Sequence, residues 1–314
     1  MACSPDRFCR IGMGQCTQKG GIVMTEEQIK DIIPEAYEQI EKQYKSGHFV
    51  LTGFEDLDDM MYEFRGGVVT IAGRPAMGKT SFMYSIIQNL IEKKKKILLF
   101  SLESAKTQAV QRMLCINAGI DSQRIRSGNM QASDWEKLAD SMSKMAEWEL
   151  YINDSKVIQP EEIDSAVKKH KPDFVCIDYL QLLDTKSKKD RNFQIEDIMK
   201  SLSKIAKDNG VIIFLLSQLT RAPEMRADNR PLLSDLRGSS SIEALSDVVM
   251  FIYRSDYYAS RSDDYGNSED SVSEKGETEI IVAKNMFGVV GTVRLIFNSA
   301  CSKFSPKVRT PYVF

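Results

Sequence analysis

GRPAMGKT, Gly73 to Thr80, matches the spacing G-x-x-x-x-G-K-[ST] between an apolar run, VVTIAG, and a segment of helical periodicity that starts at Lys79. A strand before and a helix after form the setting in which that spacing cradles phosphate. The glycines let backbone N–H groups wrap a polyphosphate, so Gly73, Arg74, Pro75, Ala76, Met77 and Gly78 are candidate binding positions, with Ser81 at the far end. The helix N-terminus adds a fixed positive field. Lys79 is expected to reach the terminal phosphates and Thr80 to hold a magnesium ion. The expected ligands are ATP and Mg2+; the alternative is a chance turn.

A magnesium site needs a carboxylate as well. FVCIDYLQLL puts Asp178 at the end of a buried strand, beside the phosphate loop in a doubly wound sheet, where a metal role outweighs that of a helix cap. Hydrolysis also needs a group that orients and activates water. Tyr179 follows Asp178, so no adjacent carboxylate serves there. Glu103, ending ILLFSLE, is the better candidate. Gln218, ending FLLSQ, is an uncharged group suited to sensing the terminal phosphate, or else a polar strand cap. His48 and His170 are the only histidines, which argues against histidine-based catalysis.

Such side chains converge only if several strands end together. From Phe64 onward, apolar runs alternate with helical patterns: VVTIAG, ILLFSLE, FVCID, VIIFLLSQ, VVMFIYR, ETEIIVAKN and GTVRLIFN read as strands. Between them, the helix from Lys79 carries a broad apolar face of Phe82, Met83, Ile86, Ile87, Leu90 and Ile91. Further helices run through Arg112 and Leu114 and from Phe193 to Ala206. The pattern predicts an α/β fold with a mostly parallel sheet and helices on both faces. Lys93 to Lys96 read as a solvated helix end, and SDDYGNSEDSVSEKGE as a mobile loop.

Composition sets limits. The 314 residues suffice for a substantial core. With 42 Lys and Arg against 44 Asp and Glu, the net charge of -2 leaves any nucleic-acid binding to a local patch. Six cysteines without a C-x-x-C pair make a structural zinc site unexpected, and Cys115 and Cys176 read as small core residues. No apolar run is long enough for a membrane span and no segment has a signal-peptide layout, which favours the cytoplasm.

Residues 1–24 show no periodicity and read as a disordered or untranslated leader. Residues 25–48 read as a helical segment preceding the main domain of residues 49–314. Thr25 and Gln28 suggest a capping box, Pro34 a break or restart, and Gly47 a stop. Ala36, Tyr37, Ile40 and Tyr44 share one face. That face either folds back on its own domain or docks on a neighbouring subunit.

TGFEDLD, GRPAMGKT, FSLE, IDYLQL, LSQLTR, RPLLSDLR, SIEALSD, FIYRSDYY and EIIVAKN, in that order, resemble the RecA-like P-loop NTPase motor domain of the DnaB-type replicative helicases. The likeness runs from about Ile29 to Phe304. It implies Glu103 as the water-activating base, Asp178 on magnesium, Gln218 as the group coupling phosphate state to DNA, and Arg254 among the nucleotide-binding residues. It also implies a homohexameric ring around single-stranded DNA moving 5′ to 3′, with the helix near Ile29 to Tyr44 as the linker helix docked on the adjacent subunit. Arg237, Gly238 and Ser240 match positions of a loop that touches DNA phosphates.

This sequence departs from the family pattern in several places. Gly238 stands where an acidic residue is usual, and Ser240 where a glycine is usual. Too little chain precedes the phosphate site for the family's helical collar, which assembles the ring and binds primase, so a loader or primase partner is left open. The family's Lys-x-Arg pair, which reaches the neighbour's ATP site, reads Lys284-Asn285-Met286. Lys284 keeps the cation and methionine takes the arginine position. The expected activity is ATP-driven DNA unwinding. The alternative is a non-unwinding DNA-dependent ATPase that loads, remodels or regulates at DNA; a metabolic kinase is disfavoured because no acceptor lid is evident.

Overall fold

The computed structural model describes residues 28–46, 50–62, 64–185, 190–236, 238–262 and 276–307. The leader, Thr25, Gly47, Arg237 and most of the acidic loop after Ser262 lie outside the described residues. The chain divides into two units, Met1–Gly47 and His48–Phe314.

In the first unit the described element is α1 (Ile29–Ser46). Pro34 lies inside it, so the expected break does not occur. Proline there forgoes one backbone hydrogen bond, and the remaining turns carry the helix across it. Ile29, Ile33, Tyr37 and Ile40, at helical spacing, are all exposed.

The second unit runs α2 (Glu55–Asp58), β1 (Gly67–Gly73), α3 (Lys79–Glu92), β2 (Ile97–Ser101), α4 (Lys106–Ala118), α5 (Ser122–Ser127), α6 (Ala132–Met145), β3 (Leu150–Asn153) and α7 (Pro160–His170). It continues through β4 (Phe174–Asp178), α8 (Arg191–Asn209), β5 (Ile212–Gln218), α9 (Ser239–Leu245), β6 (Val248–Tyr253), α10 (Ser255–Ser262), β7 (Glu277–Asn285), β8 (Gly291–Asn298) and β9 (Lys303–Pro306). Among the described residues the sheet has nine strands, in the order β3-β2-β4-β5-β1-β6-β7-β8-β9. Pairing is parallel from β3 across to β6 and antiparallel from β6 to β9. The expectation of a mostly parallel sheet therefore holds.

Alternate residues of β1 feed two cores. Val69 and Ile71 pack with Phe82, Met83, Ile86, Ile87 and Leu90 of α3. Val68 and Ala72 join Ile198, Met199 and Leu202 of α8 on the opposite face. Burial on both faces explains why the central strands read as unbroken apolar runs. Two strands, β3 and β9, carry no such run; each is four residues long and half-exposed, and neither was predicted. The lysine run begins just past α3, with Lys94 at φ +58, so it forms the turn into β2 and not the last helical turn. Cys115, Cys176 and Cys301 are free and buried.

Candidate nucleotide site

The phosphate loop leaves β1 at its carboxyl end and enters α3. Gly78 caps that helix at φ +95, and a Cβ there would sit 3.3 Å from the Phe304 ring, so both backbone and space demand glycine. Ala76 also has positive φ, at +65, uncommon for a residue with a Cβ. Lys79 Nζ donates to the carbonyls of Gly73 at 3.0 Å and Arg74 at 3.1 Å, so the lysine folds across the loop. Burial lowers Lys79 to about 8, against the pull of Asp178 and Glu103. Two of its hydrogens are used in this way, and an ammonium has three.

Asp178 stands beside the phosphate loop although its strand is not the neighbour of β1, since β5 lies between β1 and β4. Gly73 is in register with Gln218, and Ser101 with Asp178. The first turn of α3 spans the intervening strand, and Thr80 Oγ1 donates to Asp178 Oδ2 at 2.8 Å. Asp178 is only 4% exposed, and burial pushes its carboxyl up to about 6, with Thr80's hydrogen bond opposing and Glu103 reinforcing. A buried carboxylate beside a hydroxyl is a hard-oxygen pair that suits Mg2+, which takes few protein ligands and completes its shell with phosphate and water. Thr80 and Asp178 thus fit the ion.

Glu103 lies two residues beyond β2 and is exposed. The intervening Leu102 is fixed by its N–H to the carbonyl of Asp178 at 3.0 Å. A cavity of about 370 Å³ opens over the loop, walled by Gly78 to Ser81 with Glu103, Arg112, Asp178, Tyr179 and Gln218 among others. Lys79, Thr80, Glu103, Asp178 and Gln218 are therefore brought together. Gln218 is also tied to the turn after β4. Its N–H meets Gln181 Oε1 at 3.4 Å, while Gln181 Nε2 donates to Ser217 Oγ at 3.0 Å.

The side chains of Met77 and Arg74, also in the loop, are engaged away from the cavity. Met77 is 1% exposed, so its side chain belongs to the core. The Arg74 guanidinium pairs with Glu224 at 2.8 Å and donates to the Leu219 carbonyl at 3.1 Å. Arg254 does not line the cavity: it pairs with Asp256 at 2.9 Å and lies over the Phe297 ring at 4.7 Å. Phe297 in turn flanks Gly78, so Arg254 stands at the side of the loop.

The remaining candidates sit elsewhere. Lys284 Nζ donates to the carbonyls of Glu243 and Ser246, each at 2.7 Å, at the end of α9 where carbonyl charge accumulates. Met286 is 63% exposed, and its N–H bonds to the Asp247 carbonyl at 3.0 Å. Phe287 stacks on Phe64 at 4.2 Å between ring centroids. Gly238 caps α9 at φ +91, and a Cβ there would lie 3.3 Å from Ile195 Cδ1. An acidic side chain at that place would be strained in both backbone and space. Ser240 is exposed on the first turn of α9. Behind this turn, Arg226 grips the buried Asp235 carboxylate, and Leu236 bridges to Leu219.

Sequence reasoning missed Arg112 and Gln181. Neither belongs to a spacing motif. The available signal for Arg112 was a basic residue on the helix that follows Glu103.

Residues 50–306 match the model of the DnaB-like helicase C terminal domain. The replicative DNA helicase DnaC of Bacillus subtilis (strain 168) is 37% identical over 289 residues, covering 88% of this chain and 62% of that protein. A probable replicative DNA helicase of Trieres chinensis is 38% identical over 278 residues, covering 84% and 60%. The chain thus spans about three-fifths of the length of these relatives. Among solved structures, an isolated ATPase domain superposes with a TM-score of 0.80 at 33% identity, covering 90% of this chain and 100% of that one. A DnaB-like replicative helicase studied with primase gives 0.79 at 33% identity, covering 92% and 69%. The match extends through every strand that positions the cavity, and the chain belongs to the DnaB-like helicase C-terminal domain family.

Proposed function

We propose that this chain is an ATP-hydrolysing motor that drives 5′ to 3′ DNA unwinding in replication, as a homohexameric ring on single-stranded DNA. The observation that carries the reading is the convergence of Lys79, Thr80, Glu103, Asp178 and Gln218 on one cavity. In this reading Lys79 and the loop N–H groups bind the terminal phosphates. Thr80 and Asp178 hold Mg2+, which supplies charge neutralisation when bound. Glu103 takes the proton from the attacking water, and Gln218 reports the loss of the terminal phosphate through Gln181 to the neighbouring strand end. The test is strand displacement on a forked substrate, with ATP turnover measured with and without single-stranded DNA. Turnover without unwinding would select the non-unwinding alternative.

Arg237, Gly238 and Ser240 are the proposed DNA-contacting positions. Glycine and serine leave N–H groups accessible to phosphate, which suits sequence-independent, salt-sensitive binding. Interactions with primase are described for the related DnaB-like helicase, and a primase or loader is proposed as a partner class here. Among the described residues no helix is long and apolar enough to cross a membrane, and the proposed site of action is the cytoplasm.

The exposed apolar face of α1 fits docking on a neighbouring copy as a linker helix. Deletion of residues 24–44 is expected to leave a folded domain that no longer assembles. Light scattering at matched concentration with ATP present checks this; a truncated protein of parental oligomeric size would show that the helix is dispensable for assembly.

One observation favours the weaker-motor reading: Met286 projects into solvent where the family offers arginine. An arginine there would present a fixed fork of donors to a neighbour's phosphate. Met286→Arg is expected to raise ATPase activity several-fold, and only at concentrations where oligomers form. ATPase rate against protein concentration for both proteins reads this out. A flat response with assembly intact would remove residue 286 from the neighbour's site.

A further inference from the structure

The cations around the nucleotide cavity are mostly committed within the chain. Lys79 bonds the Gly73 and Arg74 carbonyls, and Arg74 pairs with Glu224. Arg254 pairs with Asp256, and Lys284 caps α9. Arg112 differs. It lies on α4, the helix after Glu103, and its side chain lines the cavity with Glu103, Lys79 and Asp178. Arg112 is exposed and donates no hydrogen bond to any described residue. Its five guanidinium donors therefore have no hydrogen-bond partner among the described residues, beside the cavity that the phosphate loop lines.

Resting on the ATPase reading above, we infer that Arg112 is a catalytic residue that supplies, from within the same chain, the arginine charge meeting the terminal phosphate as charge develops on it. A planar fork suits the equatorial oxygens of a transferring phosphoryl group, and such an arginine can come from the same chain or from a neighbour. Residue 286 is methionine, so on the proposed reading the neighbour offers no arginine and an internal one has a role to fill. The position also suits the geometry. α4 follows directly on the segment that carries Glu103, so the water-activating carboxylate and the arginine are held by one stretch of chain.

The test uses Arg112→Ala, Arg112→Gln and Arg112→Lys in the full chain, with ATP turnover and with binding of ADP and of ADP plus aluminium fluoride followed by a fluorescent nucleotide. Arg112 is exposed, and thermal melting confirms that each variant folds. Arg112→Ala and Arg112→Gln are expected to bind ADP within about twofold of the parent. Their turnover should fall by about 10²–10³-fold, the lower part of the range and below that known for arginines of this kind. The extra affinity that aluminium fluoride confers should vanish. Arg112→Lys should recover only part of it, because a point charge lacks the fork. Mixing Arg112→Ala with Lys79→Ala subunits separates own-chain from neighbour action. An internal arginine leaves the mixture inactive, whereas recovered turnover would overturn the own-chain assignment. Parental turnover in Arg112→Ala, or unchanged affinity for ADP with aluminium fluoride, would overturn the inference outright. A parent that itself hydrolyses no ATP would instead sink the ATPase reading, and the aluminium fluoride binding still decides Arg112.

Discussion

Glu103→Gln is expected to bind ATP as tightly as the parent and to turn it over at about one-hundredth of the rate or less, since a positioned general base contributes about 10²–10⁴-fold. The change replaces one carboxylate oxygen by an amide nitrogen and keeps the shape of the side chain. Nothing that holds Glu103 in place depends on its charge. Leu102, one residue earlier, is bonded through its backbone to the Asp178 carbonyl, and β2 is zipped to β4 in register. On the proposed reading phosphate binding rests on the loop, Lys79 and Thr80, which the substitution leaves alone. The loss should therefore fall on kcat and leave nucleotide affinity unchanged. Steady-state turnover and titration with a fluorescent ATP analogue separate the two. Hydrolysis at the parental rate would show that another group activates water.

Much of this site was legible because its parts are local in sequence. A phosphate loop is eight consecutive residues, and an apolar run that closes on Asp178, Glu103 or Gln218 announces a strand and the polar side chain at or just past its end. Periodicity also found β7 and β8 at their observed bounds. What escaped was set by pairing and packing, which leave no local trace. The insertion of β5 between β1 and β4 is a matter of strand order, and it is what puts Gln218 between the loop and Asp178. Arg74 belongs to a motif that binds phosphate, yet its side chain is drawn off by Glu224, 150 residues away in sequence. Pro34 looked like a break, but a helix with turns on either side tolerates the loss of one bond. Gly238 departs from the family pattern that the sequence resembles; its positive φ and the nearness of Ile195 give the reason, and neither can be read from the residue string.

Lys79→Ala should be the more severe change, because on the proposed reading it removes a binding charge as well as a catalytic one. The ammonium lies at the centre of the loop, bonded to Gly73 and Arg74, with Asp178 and Glu103 near enough to act on it. A hydrogen bond to a charged group is worth about 1.5–3 kcal/mol, so ATP should bind about 10- to 100-fold more weakly. ADP should lose less, since the lysine is expected to meet the terminal phosphates. Turnover should fall below detection, because the same charge is needed as the phosphoryl group transfers. The fold itself should be spared. Burial already disfavours the charged form of Lys79, so alanine removes a group whose burial is costly, and the melting temperature without nucleotide should not drop by more than a few degrees. A protein that melts as the parent does, binds ATP weakly and hydrolyses none would place the loss in the site. If Lys79→Ala instead retained the parental preference for ATP over ADP, the lysine would not be reaching the terminal phosphate, and the loop would be binding its ligand in another register.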